Sequence, residues 1–179
     1  MYGPCMEAPE DRGLGGGASR GCAFTANQIY SRAGTAMRIL IVEDDPAHAY
    51  QAVATLEAEG HEVFGPALNS DEAFQWASSE NLELALVAVE FGGQRAGIEL
   101  ARQLHGRHGL PAVFVSTADG VAPEHQDAAL GLLRKPFEPA DLVDSVLVAQ
   151  CLLNGGWPPP PPVPRPMEIF HRAGMWDQV

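Results

Sequence analysis

The sequence lacks any long apolar run, any cysteine pair and any cluster of basic residues. No stretch of its 179 residues approaches the roughly 18 apolar residues of a membrane-spanning helix, and its first residues contain no signal-peptide run. The three cysteines are widely spaced without a CxxC pair, which argues against a disulfide framework and against a zinc site. Neither secretion nor membrane insertion is expected, and a reducing, cytoplasmic setting is predicted.

Positive charge is scarce. The chain has 11 Lys and Arg residues against 23 Asp and Glu residues, for a net charge of −12. The whole of this imbalance lies in residues 37–154, where six basic residues face eighteen acidic ones. Such a domain is repelled by phosphate backbones, so nucleic-acid binding is not expected, whereas divalent-cation binding is favoured.

Composition divides the chain into three parts: a flexible lead at 1–36, one domain at 37–154 and a Pro-rich flexible tail at 155–179. Met37 directly precedes the first strong strand pattern, which suggests the hypothesis that it is the natural start. The proline run Pro158–Pro162 favours an extended spacer. The segment Met167–Trp176 contains apolar residues that could dock on a partner or fold back.

Between these tails, short apolar runs alternate with helical patterns. The runs are Ile39–Val42, Val63–Phe64, Leu84–Val89, Ala112–Val115 and Leu132–Leu133, and the helical patterns are Pro46–Glu59, Asp71–Ser78, Ile98–His105, Pro123–Leu130 and Ala140–Leu153. Runs that are apolar on both faces and joined by helices indicate a parallel sheet covered on both sides. The predicted class is therefore α/β, with five strands.

Polar side chains follow four of the five runs. They are Glu43, Asp44 and Asp45 after the first, Glu90 shortly after the third, Ser116 and Thr117 after the fourth, and Lys135 after the fifth. Ligands of open parallel sheets bind beyond the carboxyl ends of the strands, so these side chains are predicted to share one rim.

The motifs ILIVEDDP, LALVAVEFGGQRAGIELARQL, PAVFVST and LLRKPF occur in this order over about 118 residues. In this order and spacing they resemble the receiver domains of bacterial response regulators. The resemblance implies a flavodoxin-like sheet of order 2-1-3-4-5. It also implies that Glu43 and Asp44 are Mg²⁺ carboxylates, that Ser116 and Lys135 contact a phosphoryl group, and that the Lys135-Pro136 bond is cis.

The aspartate that accepts phosphate in this family is missing here. Counting four residues along the third run from Leu84, and counting back from the helix-opening Gly97, both place the acceptor at Ala88. A methyl group is not a nucleophile, so phosphorylation at this position is predicted to be impossible. Mg²⁺ binding is expected to be weakened, because one carboxylate ligand is lost.

Other positions depart from the family as well. Thr117 replaces a small residue, Leu132 stands at the usual switch aromatic, and the fourth helix is predicted to be short and mobile. Glu90 could place a permanent carboxylate near Lys135, or it could be a solvated loop residue. Without a phosphate, Lys135 is expected to neutralise Asp44.

The predicted function is that of a stand-alone, non-enzymatic receiver in two-component signalling that acts through protein contacts. The partners implied are a histidine kinase, a phosphotransferase or another signalling protein. One alternative is an Mg²⁺-dependent receiver phosphorylated on Glu90 or another acid. A second alternative, of a different class, is a flavodoxin-like domain that binds a small molecule.

One partner surface is suggested by the last helix. Val148 and Leu152 lie in the middle of its polar stripe at i, i+4 spacing. We therefore expect them to be exposed and to contact a second copy of the chain, another protein or the segment Met167–Trp176.

Overall fold

A computed structural model describes residues 36–92, 95–117, 120–156 and 161–170. The elements in chain order are β1 (Arg38–Val42), α1 (Pro46–Ala58), β2 (Glu62–Ala67), α2 (Ser70–Ser79), β3 (Leu84–Ala88), α3 (Ala96–His108), β4 (Ala112–Ser116), a 3-10 helix (Pro123–Ala128), β5 (Gly131–Arg134), α4 (Pro139–Leu153) and β6 (Met167–Ile169). The predicted flexible lead lies outside these residues, except for Ala36. No helix of the described chain is long and apolar enough to cross a membrane.

The strands and helices form where the sequence pattern indicates. Every residue of β3 and β4 is buried, as expected for central strands apolar on both faces. Asn69 caps α2 by accepting a hydrogen bond from the Glu72 N–H, and Gly109 ends α3 at a φ of 65°. The core is split between the two faces of the sheet, one under α2 and α3 and the other under α1 and α4.

The sheet has the order β2-β1-β3-β4-β5-β6, and its first five strands are parallel. The predicted order 2-1-3-4-5 is therefore confirmed. Adjacent strands end at nearly the same level, since Val42 pairs with Val87 and Ala88 with Val115. This register brings the residues that follow β1, β3, β4 and β5 to one rim.

The prediction of five strands and a wholly flexible tail is wrong for part of the tail. Residues Met167–Ile169 form β6, which pairs antiparallel with β5 at the edge of the sheet. Phe170, directly after the strand, is also buried. The segment folds back because its apolar residues complete both faces of the core, and the positions beyond Phe170 lie outside the described residues.

The predicted exposure of the last helix is half wrong. Val148 is 1% exposed and belongs to the same buried cluster as Met167, whereas Leu152 is 42% exposed. Nine of the fifteen residues of this helix are buried, so its buried side is wider than the sequence pattern predicts. Val148 is therefore a core residue rather than a partner contact.

The fourth helix is short, as predicted, and takes the form of a 3-10 helix. It is tied to α3 through Arg102, whose Nη2 donates to Asp127 Oδ1 at 2.9 Å and to the Glu124 carbonyl at 3.0 Å. The predicted mobility of this segment stays a prediction.

Two glycines of α3 allow a matched test of the packing. A Cβ on Gly97 would lie 1.9 Å from the Ala88 carbonyl oxygen, whereas a Cβ on Gly106 would meet nothing within 4 Å. We expect Gly97→Ala to lower the free energy of unfolding by about 2 kcal/mol or more, because backbone must move. Gly106→Ala should raise it by about 0.5–1 kcal/mol. Urea denaturation of both variants measures the difference, and equal stabilities would contradict the close approach of α3 to β3.

Candidate functional site

The rim of the sheet carries a cluster of polar side chains around a methyl group. Ala88 is the last residue of β3 and is 4% exposed. Above it lies a small cavity of about 30 Å³, lined by residues that include Glu43, His48 and Lys135. This is room for a water-sized group. Gly97 packs closely on the backbone of Ala88, since a Cβ on Gly97 would lie 1.9 Å from the Ala88 carbonyl oxygen, and the assignment of Ala88 to the family's acceptor position stays a prediction.

Lys135 bridges the rim from the end of β5 to the end of β1. Its Nζ donates to Glu43 Oε2 at 2.5 Å, and both side chains are largely buried, at 14% and 11% exposure. The expectation that Lys135 neutralises Asp44 is therefore wrong. Glu43 is the buried carboxylate because it directly continues β1, whereas Asp44 is exposed. The predicted cis bond between Lys135 and Pro136 is present.

The other two acids after β1 have structural partners. Asp44 Oδ2 accepts a hydrogen bond from the Gly92 N–H at 3.0 Å, which joins the β1 loop to the β3 loop. Asp45 caps α1 by accepting from the N–H groups of Ala47 and His48. The His48 N–H lowers the pKa of the exposed Asp45 carboxyl below its usual value, because it stabilises the charged form. The helix-cap interpretation therefore holds for Asp45.

Glu90 reaches the hydroxyl that the family uses for phosphate. Its Oε2 accepts a hydrogen bond from Ser116 Oγ at 2.8 Å. The Ser116 side chain is buried, while Glu90 itself is exposed. Glu90 lies two residues past Ala88, in the bend that follows the end of β3. Its carboxylate thus lies at Ser116 rather than at Lys135.

The residues of the rim do not fit an Mg²⁺ site. Such a site needs several oxygen ligands that are free to coordinate. Glu43 is paired with Lys135, Asp44 is bonded to a backbone N–H, and Ala88 offers no side-chain oxygen. Within the described ranges, no group of three or more His, Cys, Asp or Glu side chains is arranged to hold a metal ion.

Two features of the rim are absent from the sequence-based predictions. Arg95, which follows the β3 loop, donates from Nη2 to the Gly120 carbonyl at 3.1 Å and so joins the β3 and β4 loops. His48 lines the cavity over Ala88 and also a wider groove of about 400 Å³, next to Thr117 and Phe137. Its place in the first turn of α1, just after the acidic run, is the sequence signal that could have identified it.

Comparison with known proteins agrees with this geometry. The family model described as "Response regulator receiver domain" matches residues 39–147. Phyllosphere-induced regulator PhyR of Methylorubrum extorquens is 31% identical over 120 residues, which cover 65% of this chain and 44% of PhyR. Transcriptional regulatory protein PdtaR of Mycobacterium tuberculosis is 29% identical over 115 residues, covering 63% and 56%. The chain thus spans about half the length of these relatives.

Solved structures show the same architecture. A CheY-like receiver domain protein from Methanospirillum hungatei JF-1 superimposes with a TM-score of 0.53 at 28% identity. The match covers 62% of this chain and 90% of that one. β6 is a feature that this chain adds after the matched family segment, which ends at residue 147.

The fold is that of a receiver domain. The chain belongs to the response regulator receiver family, whose model matches residues 39–147. These relatives give no support to the alternative of a flavodoxin-like domain that binds a small molecule.

Substitutions of Lys135 and Glu43 test how much their buried ion pair stabilises the fold. We expect Lys135→Met to lower the free energy of unfolding at neutral pH by about 3 kcal/mol, because it leaves Glu43 buried without its counter-ion. Adding Glu43→Gln should recover much of this loss, since the unpaired charge is then removed. Urea denaturation of the two variants measures both effects. A loss below about 1 kcal/mol for Lys135→Met, as in an exposed pair, would contradict the burial of the pair.

Proposed function

We propose that this chain is a receiver that takes no phosphoryl group at position 88 and works by binding other proteins in one fixed state. The observation that carries the proposal is the methyl group of Ala88 at the end of β3, at the centre of an otherwise receiver-like rim. A methyl carbon has no electron pair with which to attack phosphorus. Two pairs of polar side chains on the rim bond to each other, Glu43 with Lys135 and Glu90 with Ser116.

Two contacts support the fixed state. Ser116 and Lys135 are the side chains that the family uses to contact a phosphoryl group, and here each is bonded to a carboxylate of the same chain. Hydrogen bonds to charged groups are among the stronger ones in proteins, with net contributions of about 1.5–3 kcal/mol before solvent screening. Glu90 therefore supplies negative charge at Ser116 permanently, as a substitute for a phosphoryl oxygen.

The lack of a fitting Mg²⁺ site supports the same proposal. Glu43 would have to leave Lys135 before it could bind a cation, which would leave a buried ammonium without its partner. Weak or no binding of Mg²⁺ is therefore expected of this chain, and the chain's own Lys135 supplies the positive charge at Glu43.

Proteins are the expected partners. The strong negative charge of residues 37–154 disfavours binding to phosphate backbones, and membership of the receiver family supports a role in two-component signalling. A histidine kinase, a phosphotransferase or another signalling protein would bind it. Dimerisation through the last helix loses the support of Val148, which is buried, and keeps only the exposed Leu152.

Phosphoryl uptake distinguishes this proposal from the alternative in which another acid of the rim, such as Glu90, accepts the phosphoryl group. In the presence of Mg²⁺ and acetyl phosphate, we expect the intact mass of the wild-type chain to stay unchanged. The Ala88→Asp variant should gain the mass of one phosphoryl group, because the new carboxylate faces the cavity beside Lys135. A wild-type chain that gains this mass would overturn the proposal, and Glu90 would be the first residue to test.

The role of Glu90 can be tested in the Ala88→Asp variant. Adding Glu90→Ala to Ala88→Asp should speed phosphoryl uptake, because Ser116 loses the carboxylate that holds its hydroxyl. A matched control is Glu99→Ala, which removes an exposed carboxylate of α3 whose partner is Gln103. The rate of mass gain measures the effect. Equal rates for the two double variants, Ala88→Asp with Glu90→Ala and Ala88→Asp with Glu99→Ala, would show that the Glu90 contact does not occupy Ser116.

A further inference from the structure

The outer edge of β5 is filled by the chain's own tail. Gly131, Leu132 and Leu133 pair with Ile169, Glu168 and Met167 in antiparallel register. Two further backbone bonds frame the pairing, one from the Arg134 N–H to the Pro166 carbonyl and one from the Phe170 N–H to the Leu130 carbonyl, both 2.9 Å long. Without the tail, β5 would expose a row of unpaired backbone groups.

The outer edge of β5 lets the tail strand approach closely at Gly131. A Cβ on Gly131 would lie 2.4 Å from the Glu168 carbonyl oxygen and 3.3 Å from the Ile169 Cα. Only a residue without a side chain therefore allows the tail to lie where it does. β5 is thus adapted to a neighbouring strand on this side.

Side chains on both faces of the sheet recognise the tail. Met167 is buried in the cluster under α4, and Phe170 is buried on the opposite face with its ring 6.5 Å from that of Phe114. Between them, the Glu168 carboxylate forms an ion pair with Arg134. The contacts alternate along the strand as the period of two requires.

We propose that the outer edge of β5 is a binding site for an extended segment of the pattern apolar, acidic, apolar, aromatic. Met167–Phe170 of the same chain are its tethered occupant and close this edge to strands of other proteins. A short tether holds its ligand at an effective concentration on the order of millimolar, so a competing strand of equal affinity does not enter. This surface is separate from the rim around Ala88, and the inference does not rest on the absence of phosphorylation.

The test uses the full chain and a synthetic peptide with the sequence of residues 161–170. In the Glu168→Arg variant, the tail repels Arg134, so the Arg134 amide, which the tail protects, should exchange with solvent severalfold faster. The peptide carries Glu168 and should then bind this variant at micromolar concentrations, but not the wild-type chain. Phe170→Ala, which removes the buried ring, is a second variant that weakens the tail, with the same expected results.

Charge reversal provides the matched control. In a chain carrying both Arg134→Glu and Glu168→Arg, the tail regains an ion pair, so slow exchange at Arg134 should return and the peptide should again be excluded. Unchanged Arg134 exchange in both tail-weakened variants would overturn the proposal. Equal peptide binding by the wild-type chain and the tail-weakened variants would do so as well, because the site would then not be closed by the tail.

Discussion

The ion pair between Lys135 and Glu43 organises the rim of this receiver. It spans the sheet from β5 to β1 and passes over the point where β3 ends at Ala88. Because position 88 carries a methyl group, the lysine has one buried carboxylate to neutralise. The pair satisfies both charges in a largely buried place, where an unpaired charge would destabilise the fold by several kcal/mol.

The other contacts of the rim follow from the pairing of Lys135 with Glu43. With Lys135 and Glu43 engaged, the carboxylate of Glu90 is left for Ser116, and that of Asp44 for the backbone of Gly92. These contacts join the loops after β1, β3 and β4 without any ligand. A receiver that switches needs groups whose partners change on phosphorylation, whereas here the partners are supplied by the chain itself.

The tail of the chain covers one edge of the sheet. β6 covers the edge of β5, and its flanking Phe170 completes the core near Phe114. A covered edge removes the backbone groups that would pair with another chain. On the other face of the sheet, Met167 joins the buried cluster that also contains Val148 of α4.

The sequence by itself determined the α/β class, the strand order through the family motifs, and the identity of the residues at the rim. The class and the rim residues are local properties, because apolar periodicity and the residues that end each strand can be identified from short stretches of sequence, whereas the strand order followed from the resemblance to the receiver family. The tertiary structure alone decided which carboxylate pairs with Lys135, and that Val148 is buried. The pairing joins residues distant in the chain, since Glu43 is 92 positions from Lys135. The position of β6 likewise depends on Gly131, which has no side chain, and on the ion pair of Arg134 with Glu168, and neither residue contributes to an apolar periodicity.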